Sequence, residues 1–256
     1  MAKKDDDRIL AIRQKANEAR QQQKRAEVRR KAFLQIGVIV AVLVVVGGIV
    51  FAVVAINRAS QEVVTPEASA TVTVGESTDV PLEVGEGAVR VGSADAPTTV
   101  AIYEDFSCPH CQDYEAIIGD TLVELVASGD AAVEYHPINI VTDYGVRAGS
   151  VATCVAVHEP ESWLGVHSGL FTVHDSSTDA WSYEQFATFL DGQGIGGEEL
   201  LECVESGRYA NWIEQNTREA LDSGVTGTPT VYINGEKAET LPTAEELQAT
   251  VAELAG

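Results

Sequence analysis

The chain has 256 residues, four cysteines and a formal net charge of −22 from 39 Asp/Glu against 17 Lys/Arg. That length holds one large or two small domains, and an acidic body without a basic–aromatic patch argues against nucleic-acid binding. The charge is unevenly divided: residues 1–33 carry 11 Lys/Arg and 5 Asp/Glu, a net of +6, whereas from Asn57 onward the balance is −28.

Between these parts lies LQIGVIVAVLVVVGGIVFAVVAI, residues 34–56, which is 23 residues without a charge. At 1.5 Å per residue it reaches roughly 35 Å, enough for a hydrocarbon core of about 30 Å. Both this run and its basic leader are longer than those of a cleaved secretory signal. The expectation is a single retained transmembrane helix over residues 34–56. The positive-inside rule then puts residues 1–33 in the cytoplasm and the acidic bulk outside the cytoplasmic membrane. Thiols outside the cytosol tend to be oxidised, so the cysteines point to disulfide chemistry.

Residues 57–87 contain no aromatic residue and are rich in Thr, Glu, Ser, Val and Gly. They predict a flexible extracytoplasmic linker with a root-mean-square reach of roughly 30 Å. A folded domain is expected over residues 88–256. In it, APTTVAIYEDF (96–106) predicts a buried strand. The helix that follows starts near Cys108, buries Tyr114, Ile118, Leu122 and Leu125, and ends at Ser128-Gly129. AAVEYHPINIV (131–141) predicts a second strand, ended locally by Pro137. From about 143 to 222 the pattern is helical, broken at EPES and DGQGIGG, with Trp163, Phe171, Trp181 and Phe186 in its core. Its last helix turns Tyr209, Trp212, Ile213 and Ala220 inward. GTPTVYINGE (227–236) gives a strand and a turn at Asn234-Gly235. A closing helix is capped by Thr243 and Glu246 and buries Leu247, Val251 and Leu254. The sum is an α/β domain with a helical insertion of about 65–80 residues.

The chemistry concentrates in EDFSCPHCQDYE, residues 104–115. Cys108 falls at a helix N-cap, where unpaired N–H groups and the helix dipole favour a thiolate. Pro109 suits the first turn, His110 adds a positive or dipolar neighbour, and Cys111 points inward one turn on. Cys108 is the attacking sulfur and Cys111 the resolving one. Each unit of lowered thiol pKa favours the thiolate by about 1.4 kcal/mol, so the disulfide form of such a pair is an oxidant. A metal site would need ligands from Cys154, Cys203, His136, His158, His167 or His174, which fall on separate elements, and no metal is expected. A purely structural bond between neighbours this close would constrain little chain entropy. Cys154 and Cys203 each share a helical face with apolar residues, as two buried thiols or as one bridge. An oxidising compartment favours the bridge, worth roughly 4 kcal/mol in the chain-entropy model.

DFSCPHC after a strand, with GVTGTPTVYING downstream and a helical block between, resembles the DsbA family of thioredoxin-fold thiol–disulfide oxidoreductases over about residues 86–256. The likeness is greatest to the membrane-anchored Gram-positive type. The resemblance implies a thioredoxin fold, Cys108 as nucleophile, Cys111 as its buried partner, and Thr228-Pro229 as the opposing loop with Pro229 cis. It also supports the Cys154–Cys203 bridge. Unfolded or newly exported cysteine-containing proteins are the implied substrates. The implied reoxidant is a quinone-linked membrane protein of the DsbB or vitamin K epoxide reductase-like type, with no cofactor. Many relatives carry an acid six residues before the first cysteine, where this chain has Ile102. Glu104, on the Ile102 side of the strand, and Asp105, on the other, are the candidates for proton transfer. Thr228 leaves a reductase or isomerase open. A metal-binding or chaperone module is the alternative of a different class.

Overall fold

The computed structural model describes Gly48 and residues 63–256. Gly48 apart, the expected cytoplasmic segment (1–33), membrane helix (34–56) and first linker residues (57–62) lie outside the described residues. Among the described residues no helix is long and apolar enough to cross a membrane. Val63–Gly256 forms one compact unit.

Among the described residues seven strands make one sheet: β1 (Ala68–Val74), β2 (Thr78–Gly85), β3 (Ala88–Val91), β4 (Thr98–Glu104), β5 (Ala131–Pro137), β6 (Thr230–Ile233) and β7 (Glu236–Lys237). Their spatial order is β1-β2-β3-β5-β4-β6-β7. Only β4 and β5 run parallel. A parallel pair needs a long crossover, and helix α1 (Pro109–Ser128) supplies it. After β5 come the inserted helices α2 (Asp143–His158), α3 (Trp163–Val173), α4 (Tyr183–Asp191), α5 (Glu198–Glu205) and α6 (Ala210–Asp222). β6, β7 and α7 (Ala244–Ala255) close the chain. This is the mixed α/β, thioredoxin-like arrangement with a helical insertion that the resemblance implies.

Strand alternation decides what faces the core. In β4, Val100, Ile102 and Glu104 are buried while Ala101 and Tyr103 are half-buried, so Glu104 is carried inward with the apolar residues. Val133 and Tyr135 of β5 and Val231 of β6 join the same core as Ile118 and Leu122 of α1 and Leu247 and Val251 of α7. Gly129 ends α1 at φ 80°, a left-handed conformation that suits glycine. Thr243 and Glu246 form the expected capping box of α7. In the insertion, α2 packs against α5 and α6, and Trp163, Phe171 and Phe186 are fully buried.

Three expectations need correction. Residues 68–85 are not part of a flexible linker; they form the β1–β2 hairpin, and residues 88–91 continue the sheet as β3. Val72, Val74, Val80, Leu82 and Val84 are all buried, with α1 and α2 packed against the hairpin. Their period of two is a strand signal that the Thr/Ser/Glu/Gly composition obscures. Leu254 is 46% exposed rather than buried, so the buried stripe of α7 ends at Val251. Trp181 is only half-buried.

Candidate active site

Cys108 occupies the N-cap of α1 with extended backbone angles, φ −88° and ψ 118°, and Pro109 opens the helix. The Cys108 carbonyl accepts from the N–H groups of Cys111 and Gln112 at 3.0 and 3.1 Å. Across from it, the Thr228–Pro229 peptide bond is cis, and the Cys108 thiol donates to the Thr228 carbonyl at 3.4 Å. Cys108 and Cys111 are both free thiols and are 5% and 2% exposed. The outer sulfur is thus only marginally more open than the inner one. Pro109 and His110 are exposed.

The two thiols are driven apart. Cys108 is brought down to about 5, chiefly by the hydrogen bond from the Cys111 thiol. Burial opposes this, while the Thr228 side chain and the backbone N–H groups of Cys111 and His110 add to it. His110 contributes through its main chain. Cys111 is pushed far above its ordinary value, first by its hydrogen bond to Cys108 and then by burial. The Thr228 hydroxyl is buried and, with both sulfurs as thiols, has no hydrogen-bond partner among the described residues. A donor left unpaired beside a sulfur has a use once that sulfur is an anion.

One turn along α1 from Cys111 a buried charge cluster begins. Glu104 meets His167 Nε2 at 2.6 Å, and Glu115 meets His167 Nδ1 at 3.4 Å. Ser168 donates to Glu115 at 2.5 Å. Glu115 follows Cys111 by four residues, so the two share one face of α1 about 5–6 Å apart at Cβ. Glu115 also lines a groove of about 510 Å³ between α1 and α3, together with Asp113, Asp120 and Leu164. Burial alone would lower His167, but the two facing carboxylates outweigh it and raise it to about 10. Burial raises Glu104, against His167. For Glu115 burial is overcome by His167 and the Ser168 hydroxyl, and the carboxyl is lowered. His167 and Glu115 escape a reading of the sequence; the only local cue is the four-residue step from Cys111 to Glu115.

Asp105 is buried on the other side of the chain, and its two oxygens each hold two hydrogen-bond donors. So engaged, it is not placed to pass a proton, contrary to one expectation. The remaining candidates disperse. His174 bonds Asp179 at 2.9 Å, His158 lies 3.8 Å from Glu199, and Cys154 and Cys203 are bonded to each other, joining α2 to α5.

The family model described as Thioredoxin matches residues 85–253. Na(+)/H(+) antiporter NhaA 3 of Salinispora tropica is 29% identical over 67% of this chain, which spans only 25% of that relative. Disulfide bond formation protein D of Bacillus subtilis is 24% identical over 65% of this chain and 76% of its own length. Among solved structures, oxidised DsbA of Mycobacterium tuberculosis is similar with a TM-score of 0.58 and 28% identity, covering 66% of this chain and 93% of that one.

Proposed function

The chain belongs to the thioredoxin family, and from that premise we propose that it is a DsbA-type thiol–disulfide oxidoreductase that gives the Cys108–Cys111 disulfide to exported proteins. One observation carries this reading: a thiolate-favouring Cys108 at a helix N-cap, set against cis-Pro229, with a buried Cys111 one turn behind.

The exchange runs in two steps. A substrate thiolate attacks Cys108 of the disulfide; the Cys108–Cys111 bond breaks, and the electron pair leaves on Cys111. A second substrate thiolate then attacks the substrate sulfur of the mixed disulfide and expels Cys108. The substrate is oxidised by two electrons and the enzyme is left as a dithiol. Cys108 is a good leaving group because its thiolate is stabilised. Cys111 is a poor anion and takes up a proton on leaving. The buried cluster of Glu104, His167 and Glu115, which carries its proton on His167 between the two carboxylates, is the proposed source. On reoxidation the same groups take the proton back. The residue 34–56 helix is proposed to hold the domain at the membrane, near a quinone-linked reoxidant of the DsbB or vitamin K epoxide reductase-like type.

The deciding experiment is the reduction potential of the Cys108–Cys111 couple in glutathione buffers. A value near that of DsbA, about −120 mV, supports outward donation of disulfides, and one near that of thioredoxin, about −270 mV, supports a reductase. Loss of disulfide formation in exported proteins on Cys108→Ser is the companion result in cells. An undiminished yield there overturns the oxidase role.

A further inference from the structure

Asp105 lies between the end of β4 and the reactive turn, with its side chain fully buried. Its Oδ1 accepts from the Ser107 N–H at 2.8 Å and the Ser107 hydroxyl at 2.6 Å. Its Oδ2 accepts from the N–H groups of Ile140 and Val141 at 2.7 and 2.9 Å, in the loop between β5 and α2. The Thr142 N–H donates to the Ser107 hydroxyl at 3.0 Å, so the two halves are also tied to each other. The main chain of the same residue meets both cysteines. Its carbonyl accepts from the Cys108 N–H at 2.9 Å, and its N–H reaches the Cys111 sulfur.

The surroundings are shaped to this carboxylate. A Cβ on Gly145, in the first turn of α2, would collide with Asp105 Oδ1 and with Asn139 Oδ1. Because Ile140 and Val141 turn their N–H groups inward to Oδ2, their side chains stay outside, 38% and 51% exposed. A carboxylate with two donors on each oxygen has its acceptor sites filled from both sides. It is suited to holding parts in place.

We propose that Asp105 is a positioning residue for thiol–disulfide exchange. It clamps the 139–142 loop to the Ser107–Cys108 turn, so that the Cys108 sulfur is held between the Thr228 carbonyl and the first N–H groups of α1. The proposal rests on Cys108 being the attacking sulfur, as argued above, and gives Asp105 a role distinct from proton transfer.

Asp105→Asn nearly preserves shape but places an amide NH2 where two donors converge, so one half of the clamp opens whichever way the amide turns. The test compares full-length wild type, Asp105→Asn and Ser107→Ala by three measurements: thiolate absorbance of the reduced protein against pH, the rate of Cys108 alkylation, and oxidation of a two-cysteine peptide. In Asp105→Asn the Cys108 titration is expected to rise by at least one unit, which lowers alkylation roughly tenfold at a pH below both titrations. Ser107→Ala is expected to shift it less, in the same direction. Lower stability with an unchanged Cys108 titration would mean a merely structural residue and overturns the proposal. So does an unchanged titration with a slower protonation-dependent step in peptide oxidation, the mark of a proton donor. If Asp105→Asn does not fold, an unshifted Ser107→Ala titration overturns it alone. A wild type that fails to oxidise the peptide refutes the proposed function, yet leaves the comparison of Cys108 titrations standing.

Discussion

Reduced Cys108, lowered to about 5, has an unfolded reference near 8.5. A group depressed in the folded state adds stability that is fully present above its unfolded value and is lost as pH falls through its folded one. Below pH about 8.5 Cys111 is protonated in both states and adds nothing, and the disulfide form has neither titration. The reduced protein is therefore expected to gain on the oxidised one between pH 5 and pH 8, read as a change in the difference between their urea midpoints; a constant difference would refute the assigned thiolate. His167 has the opposite sign. Raised to about 10 from a reference near 6.5, it adds stability that is full below 6.5 and lost as pH rises through 10. His167→Gln leaves Glu104 and Glu115 buried without their cation, and such a loss costs about 3–5 kcal/mol. Denaturant unfolding at pH 6 and at pH 10.5 should show that cost shrinking at the higher pH. The Cys108–Cys111 pair was legible because local spacing carries its chemistry, whereas Thr228 and Pro229 were legible only through the resemblance to a known family. The His167 cluster was not, since a histidine's partners depend on which strand its helix comes to rest against.

Helix α1 shows how much one element can state in sequence: a proline at its start, an apolar stripe of Tyr114, Ile118, Leu122 and Leu125, and Gly129 at its end. Gly129→Ala forces a side chain into a left-handed conformation and is expected to cost about 1 kcal/mol, seen as a lower melting temperature with unchanged Cys108 alkylation. The bridge between α2 and α5 acts at the same scale. Cys154 and Cys203 stand 49 residues apart, so replacing both with alanine removes a constraint worth roughly 4 kcal/mol. Calorimetry is expected to show the loss while the rate of peptide oxidation at low temperature stays within about twofold, because the bridge joins α2 to α5 whereas the reactive pair sits at the start of α1. The β1–β2 hairpin was missed for an opposite reason. Its valines alternate as a strand's should, but no aromatic residue or flanking helix marks them as core, and only the sheet they join makes that alternation decisive.

For the molecule as a whole, the missed hairpin moves the start of the folded body from residue 88 to residue 63. A chain cut at residue 88 uncovers the faces of α1 and α2 that bury Val72, Val74, Val80, Leu82 and Val84. It is expected to bind a hydrophobic dye and aggregate, whereas a chain beginning at residue 63 stays monodisperse in size-exclusion chromatography; equal behaviour would make the hairpin an ornament. The layout around it, two halves of a central sheet with helices inserted between them, could be read in advance because strand, helix and turn signals follow one another in the order the fold uses them. The Cys154–Cys203 bond has one more consequence. A protein proposed to make disulfides for others carries one that steadies its own fold. Each newborn copy reaches its compartment as a customer, and an older copy or another oxidant has to complete it. A cell emptied of this oxidase would then rebuild its pool first as unbridged, less stable molecules, each one hastening the bridging of the next.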